Sequence, residues 1–200
     1  LTLQAAPVTQ TFEGVTVNNP EQPAALGTEF PAGTPWTLVV EWDDTALPLD
    51  PPTNQAQYRV TSLTLTLAGT NGDWTTSAQA DKASFWLLRN TGYHEVQFTT
   101  AWGPANHTTT DIGGFNIGNI NLTLADPTGT AIPALTPAPS PFDLANFSPS
   151  VSLSNLKIYL GNGENSILGG LGDNPVGDPD LTVKDKSGTT LSSGTTVKFP

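Results

Sequence analysis

The stretch Trp36-Thr37-Leu38-Val39-Val40-Glu41-Trp42 decides the fold class. Trp36, Leu38, Val40 and Trp42 alternate with Thr37, Val39 and Glu41. Successive side chains of a strand point to opposite faces, so this period of two predicts a strand with one strongly apolar face. The pattern recurs along the chain. Leu63, Leu65 and Leu67 alternate with Thr64 and Thr66. Val96 and Phe98 follow the same rule, as do Ile120, Leu122 and Leu124, and then Leu156, Ile158 and Leu160.

Two stretches change phase. Tyr58 and Val60 take even positions before Leu63 moves to odd ones; Val151 and Leu153 are odd before Leu156 is even. A shift of one residue sends side chains to the opposite face, and a β-bulge repairs it. Bulges are therefore expected near Thr61–Ser62 and Ser154–Asn155. Ala83–Arg89 is apolar on both faces, which predicts a central strand covered on both sides. Turn formers separate the runs, among them Asn18-Asn19-Pro20, Asn71-Gly72-Asp73 and Asp126-Pro127-Thr128-Gly129. Asn90-Thr91-Gly92 joins two runs closely and reads as a hairpin. No amphipathic helix stands out; Pro141–Phe147 fits one short helical turn. The expectation is an all-β chain, a β-sandwich or jelly roll of roughly nine or ten antiparallel strands.

One domain is expected over residues 1–200, since sandwiches reach this length as single units. Residues 1–160 form the main sandwich. The tail, 161–200, begins with Gly161–Pro179, which is rich in Gly, Asn and Asp and nearly devoid of core residues. Leu181–Val183 and Thr195–Phe199 then read as two short strands. They form either a terminal hairpin or a strand donated to a neighbouring molecule.

Composition narrows the function classes. Charged residues are 12% of the chain, about half the average for soluble proteins. Thr, Ser, Asn and Gln must therefore cover the surface. The net charge is −11, with seven Lys and Arg spread thinly. Such a chain repels phosphate backbones, which excludes nucleic acid as a partner. There is no cysteine, so disulfides and thiolate metal sites are out. No apolar run approaches the ~20 residues of a membrane span. The chain starts at Leu1 and has no methionine, which fits a processed form that a signal peptide preceded.

The order of several short pieces carries a resemblance. Phe12-Glu13-Gly14-Val15 is followed by Leu26-Gly27-Thr28-Glu29-Phe30, then Glu41-Trp42-Asp43 and Tyr58–Thr66. Leu122–Gly129, Ile132-Pro133-Ala134-Leu135 and Phe142–Phe147 complete the series. Over roughly residues 10–160 this resembles exported bacterial β-sandwich proteins of the PEP-CTERM, exosortase-sorted type. The resemblance implies an all-β extracellular domain and a setting of exopolysaccharide and biofilm matrix. The Pro-Glu-Pro motif, apolar helix and basic end of such proteins are not in this sequence, so it transfers no anchor.

The candidate chemistry is sparse. Only His94 and His107 could serve as imidazole bases, and no G-x-S-x-G elbow is present. Both histidines read as surface or half-buried residues. Calcium takes clustered carboxylates and carbonyl oxygens. Asp173, Asp178 and Asp180 in GDNPVGDPD form one candidate cation site; Asp43, Asp44 and Asp50 form a second, and neither has EF-hand spacing. The plainer reading is solvated turn aspartates. Trp74 and Trp102 fall outside the core phases and could stack on sugar rings; otherwise they cap the ends of the core. Trp36, Trp42 and Trp86 are assigned to the core.

Together these features predict a non-enzymatic extracellular surface or matrix protein. Its partners are further copies of itself, in a filament or sheet built through its terminal strands, or extracellular polysaccharide held by exposed Trp with or without calcium.

Overall fold

A computed structural model describes residues 7–19, 22–161, 165–171, 182–184 and 190–193. It is all-β, with thirteen strands. They are β1 (Pro7–Val17), β2 (Pro35–Asp43), β3 (Gln55–Arg59), β4 (Ser62–Gly69), β5 (Gly72–Ser77), β6 (Ala83–Asn90), β7 (Tyr93–Thr100), β8 (Asp111–Ile112), β9 (Phe115–Asp126), β10 (Asn155–Leu160), β11 (Asn165–Leu171), β12 (Thr182–Lys184) and β13 (Thr190–Ser193). One short helix, α1 (Ala24–Glu29), starts after Pro23. Its six residues are too few to display a helical period, so the sequence offers no signal for it.

The first eleven strands form one continuous antiparallel sheet, ordered β3-β6-β7-β9-β10-β11-β1-β2-β4-β5, with β8 paired to β9. The sheet folds back on itself like a sandwich. Leaf A holds β3, β6, β7, β9 and β10; leaf B holds β11, β1, β2, β4 and β5. Ring contacts between the leaves define the core. Phe12 of β1 meets Phe98 of β7 at 5.2 Å, and Trp42 of β2 meets Phe85 of β6 at 5.5 Å. Trp36, Leu38, Val40 and Trp42 are all buried, as their alternation requires.

The apparent phase changes have other causes than those expected. Between Arg59 and Ser62 the chain crosses from leaf A to leaf B: Val60 N–H donates to Ala83 O, and Thr61 N–H donates to Glu41 O. Tyr58 and Leu63 both point inward because they belong to different leaves, so no bulge is needed at Thr61–Ser62. Near Ser154–Asn155 a turn precedes β10; the register irregularities lie later, at Ile158–Leu160. The Asn90–Gly92 hairpin joins β6 and β7 as expected. Ala83–Arg89 is covered on one face only, since Phe85 and Leu87 are buried while Trp86 is half-buried on the outer face. A short 3-10 turn, Leu144–Asn146, sits where one helical turn was expected, capped by the Asp143 carboxylate.

β11 is the largest departure. It lies in the stretch expected to lack core residues, yet it joins the leaves by pairing with both β10 and β1. Its glycines explain both facts. A Cβ on Gly169 would lie 2.5 Å from Trp36 Nε1, and one on Gly14 of β1 would collide with the Gly170 carbonyl and sit 2.7 Å from the Trp36 ring. Bare backbone makes room for the Trp36 indole at the seam.

Both sheet edges are occupied by the chain's own loops. Leu49 N–H donates to Gln57 O along β3. Along β5, Thr108 N–H donates to Ser77 O, and Ala78 bridges His107. Loops laid along an edge hinder its pairing with another strand. β1 pairs with β2 over Pro7–Val15 and with β11 over Val15–Val17, so the first terminal strand is bound within its own molecule. Thr182–Lys184 and Thr190–Ser193 pair with each other as a separate ribbon. Thr195–Phe199, expected as a strand, lies outside the described residues.

Two glycine replacements test the seam. Gly14→Ala is expected to destabilise the protein by about 1–3 kcal/mol, the usual cost of overpacking. Gly27→Ala in α1 meets open space and should be neutral or stabilising by up to about 1 kcal/mol. Urea denaturation of both variants checks this; equal stability would show that the seam tolerates a methyl group.

Candidate functional site

The loop after β7 carries the most exposed aromatic ring among the described residues. Trp102 is 53% exposed, yet its backbone is firmly held. Asn106 Nδ2 donates to Trp102 O at 2.6 Å, and Gly103 N–H donates to Gly118 O at 2.6 Å. His107 Nδ1 donates to Gly103 O at 3.2 Å. On the far side of that imidazole, the Thr100 hydroxyl donates to Nε2 at 2.9 Å while accepting Ile120 N–H at 3.0 Å. Each group in this chain of bonds has a partner, so it locks the loop to the sheet.

The Trp102 ring lies over Gly118 of β9. A Cβ there would stand 2.5 Å from the Leu160 carbonyl oxygen and 2.9 Å from the ring, so glycine serves both the β9–β10 pairing and the indole that rests on it. In this position Trp102 meets Tyr159 of β10, with centroids 5.9 Å apart and planes tilted by 45°. Lys157 precedes Tyr159 by two residues on the same outer face and has no ion-pair partner among the described residues.

The outer face of leaf A continues this surface. Strand pairing sets Gln57, Trp86, Gln97 and Thr123 in one cross-strand row. Ser84, Thr99, Asn121 and Lys157 form the next row. Asn119 donates to Thr99 Oγ1 at 3.0 Å and to Thr100 O, and Thr123 donates to Asn121 Oδ1 at 3.0 Å. The face is thus amide and hydroxyl with inset aromatic rings. Trp86, assigned to the core from its apolar neighbours, belongs to this face, because the core phase of β6 falls on odd positions.

Trp74 is half-buried against the core, and its Nε1 donates to Asp111 O at 2.9 Å. It caps the end of the sandwich rather than offering a free ring. Asp43 accepts from Thr45 N–H at 2.8 Å and Thr45 Oγ1 at 2.7 Å, as turn aspartates do. Among the described residues no three His, Cys, Asp or Glu side chains converge, so Asp43, Asp44 and Asp50 are not gathered as a cation site. Asp173, Asp178 and Asp180 lie outside the described residues. No helix among the described residues is long and apolar enough to cross a membrane.

Both histidines are buried, against the expectation of surface or half-buried positions. His94 is 4% and His107 1% exposed. His94 Nδ1 accepts Ile132 N–H at 2.9 Å, and His94 faces Asp126 across the strand pair. Asp126 ties down the turn that follows β9: it accepts from Thr128 N–H and Oγ1, Thr130 N–H and Ala131 N–H, all at 2.6–2.7 Å. Neither the order of residues nor their spacing announces this pair, because the partners are backbone groups.

These groups respond to acid in two stages. Burial lowers both imidazoles from their ordinary 6.5; the Asp126 carboxylate opposes this at His94, and backbone carbonyls oppose it at His107. Burial alone would raise Asp126, but its hydrogen bonds hold it down at about 2, from 3.8. A histidine kept neutral in the fold contributes stability above 6.5 and loses it as pH falls further. Asp126 contributes stability above 3.8 and loses it as pH falls toward about 2. Thermal melts are therefore expected to fall first below pH 6.5 and again below 3.8. His94→Gln should make the first fall shallower, with His107 carrying the remainder, and leave the second; a wild-type melting point flat down to 3.8 would contradict this.

No family model, curated protein or solved structure matches this chain.

Proposed function

We propose that this is a non-enzymatic extracellular matrix domain that binds polysaccharide on the outer face of leaf A. The observation that carries the reading is Trp102: a half-exposed indole, paired with Tyr159 and fixed by three hydrogen bonds around its loop. A ring held in place before binding loses little conformational entropy when a ligand arrives. An indole face suits the apolar face of a sugar, and the surrounding amides and hydroxyls suit its hydroxyl groups.

The non-enzymatic part rests on the histidines. Each is buried and bound to structural partners, which leaves neither imidazole free to activate a nucleophile. The extracellular setting rests on the resemblance and on the low charge density. Assembly into filaments through terminal strands has less support, since β1 pairs within its own molecule and loops cover part of each end strand.

Titration with soluble polysaccharides, followed by Trp fluorescence, tests the reading. Trp102→Ala should weaken binding by about tenfold or more. Its melting point should barely move, since exposed side chains contribute little to stability. If no glucan, xylan, alginate or pectin perturbs the fluorescence, the proposal is wrong. Light scattering on the same sample should return a monomer; filaments would return the weight to self-assembly.

A further inference from the structure

We propose that the leaf A site is an extended strip for an internal run of several sugar units, with Trp86 as its second platform. This rests on the polysaccharide reading above and adds the length and direction of the ligand.

The strip follows from the strand register. Trp86 is level with Gln97, Thr123 and Asn155 across β7, β9 and β10. Tyr159 lies on β10, three strands over and four residues further along. At the usual strand dimensions this is about 14 Å across and about 13 Å along, or roughly 20 Å on the diagonal. That span exceeds a single sugar ring several times over. Two aromatic platforms this far apart cannot grip one monosaccharide; they can grip a chain.

The ground between them is suited to hydroxyl groups. The diagonal passes Gln97, Thr99 and Asn121 and ends beside Lys157. Among the described residues the side chains of Gln97 and Lys157, both half-buried, have no hydrogen-bond or ion-pair partner, while Asn121 is buried and accepts the Thr123 hydroxyl. The donor groups of Gln97 and Lys157 remain available. On leaf B the outward hydroxyls pair with each other, Thr64 with Ser77 at 2.7 Å and Thr66 with Thr75 at 3.0 Å; on leaf A Gln57 Nε2 donates to Ser84 Oγ at 3.0 Å and Asn119 to Thr99 Oγ1 at 3.0 Å, but the Gln97 and Lys157 side chains between the platforms stay unpaired. Gln57 and Gln97 flank Trp86 on the neighbouring strands, so the indole has an amide on each side. The surface is an open sheet face rather than a closed pocket, so a polymer can enter along its length without presenting an end.

Calorimetry with gluco-, xylo- and galacturono-oligosaccharides, from disaccharide to hexasaccharide, tests the strip. Affinity for the recognised series should rise with length by about tenfold or more in total. Trp86→Ala should remove that rise and leave disaccharide binding unchanged; Trp86→Phe should restore most of it. Trp102→Ala should weaken every length. Disaccharide and hexasaccharide binding equally, or Trp86→Ala behaving as wild type at all lengths, would overturn the strip and leave the polysaccharide reading standing. No binding in any series would overturn both.

Discussion

The fold depends on a steric constraint at the seam between its leaves. One continuous sheet must fold over so that Trp42 can reach Phe85 and Phe98, and Phe12 can reach Phe98. The turn of the sheet passes through β10, β11 and β1, where Trp36 must also be housed. Gly14 and Gly169 supply the space by having no side chain. Glycine weakens a strand in isolation, because it loses more conformational freedom on ordering and packs nothing. Here that loss is offset by burying a whole indole, a residue type that carries some of the largest apolar area in a core.

The open side of the sandwich is closed by loops rather than strands. Residues 131–142 lie across it, with Ile132, Ala138 and Phe142 in the core. The segment is pinned by His94 at Ile132, by Tyr58 at Leu135, by Trp42 at Pro139 and by a reciprocal amide pair between Gln10 and Phe142. Every pin joins a buried side chain to a backbone group. A proline-rich segment cannot satisfy its backbone carbonyls and remaining N–H groups by helix or sheet, so side chains from the core do so. This explains why the polar tips of Tyr58, Trp42 and His94 stand at the rim of an otherwise apolar interior.

Much of this was legible in the sequence. The alternation in Trp36–Trp42 and Leu63–Leu67 identifies inward faces because each strand is half-buried, and burial follows period two. What failed did so for physical reasons. The crossing at Val60–Thr61 looks like a bulge because a change of leaf and a change of face produce the same shift in phase. β11 left no apolar alternation because it places Ile167 in the core beside Gly169 and Gly170, whose contribution is space. Trp86 was misplaced because an outward indole beside Phe85 and Leu87 reads as part of an apolar run. Of the site, Trp102 was found by its position outside the core phases. Tyr159 was not, since only the register brings β10 beside Gly118.

The two outer faces show how an acidic chain can still present a binding surface for a hydroxyl-rich polymer. Within residues 7–171 the cationic side chains are Arg59, Lys82, Arg89 and Lys157, and all lie on leaf A or the turn leading into it. Leaf B carries Glu13, Glu41, Asp43 and Asp73 and no cation. The net charge is thus unevenly spread, and its repulsion is strongest on the side where hydroxyls already satisfy one another. Leaf A keeps donors without internal partners beside rings that cannot turn away. Binding a polar polymer requires replacing its water, and the face that does this at least cost is one whose groups are neither charged in bulk nor already paired. The charge partition and the unpaired Gln97 and Lys157 side chains therefore select the same surface that Trp102 marks.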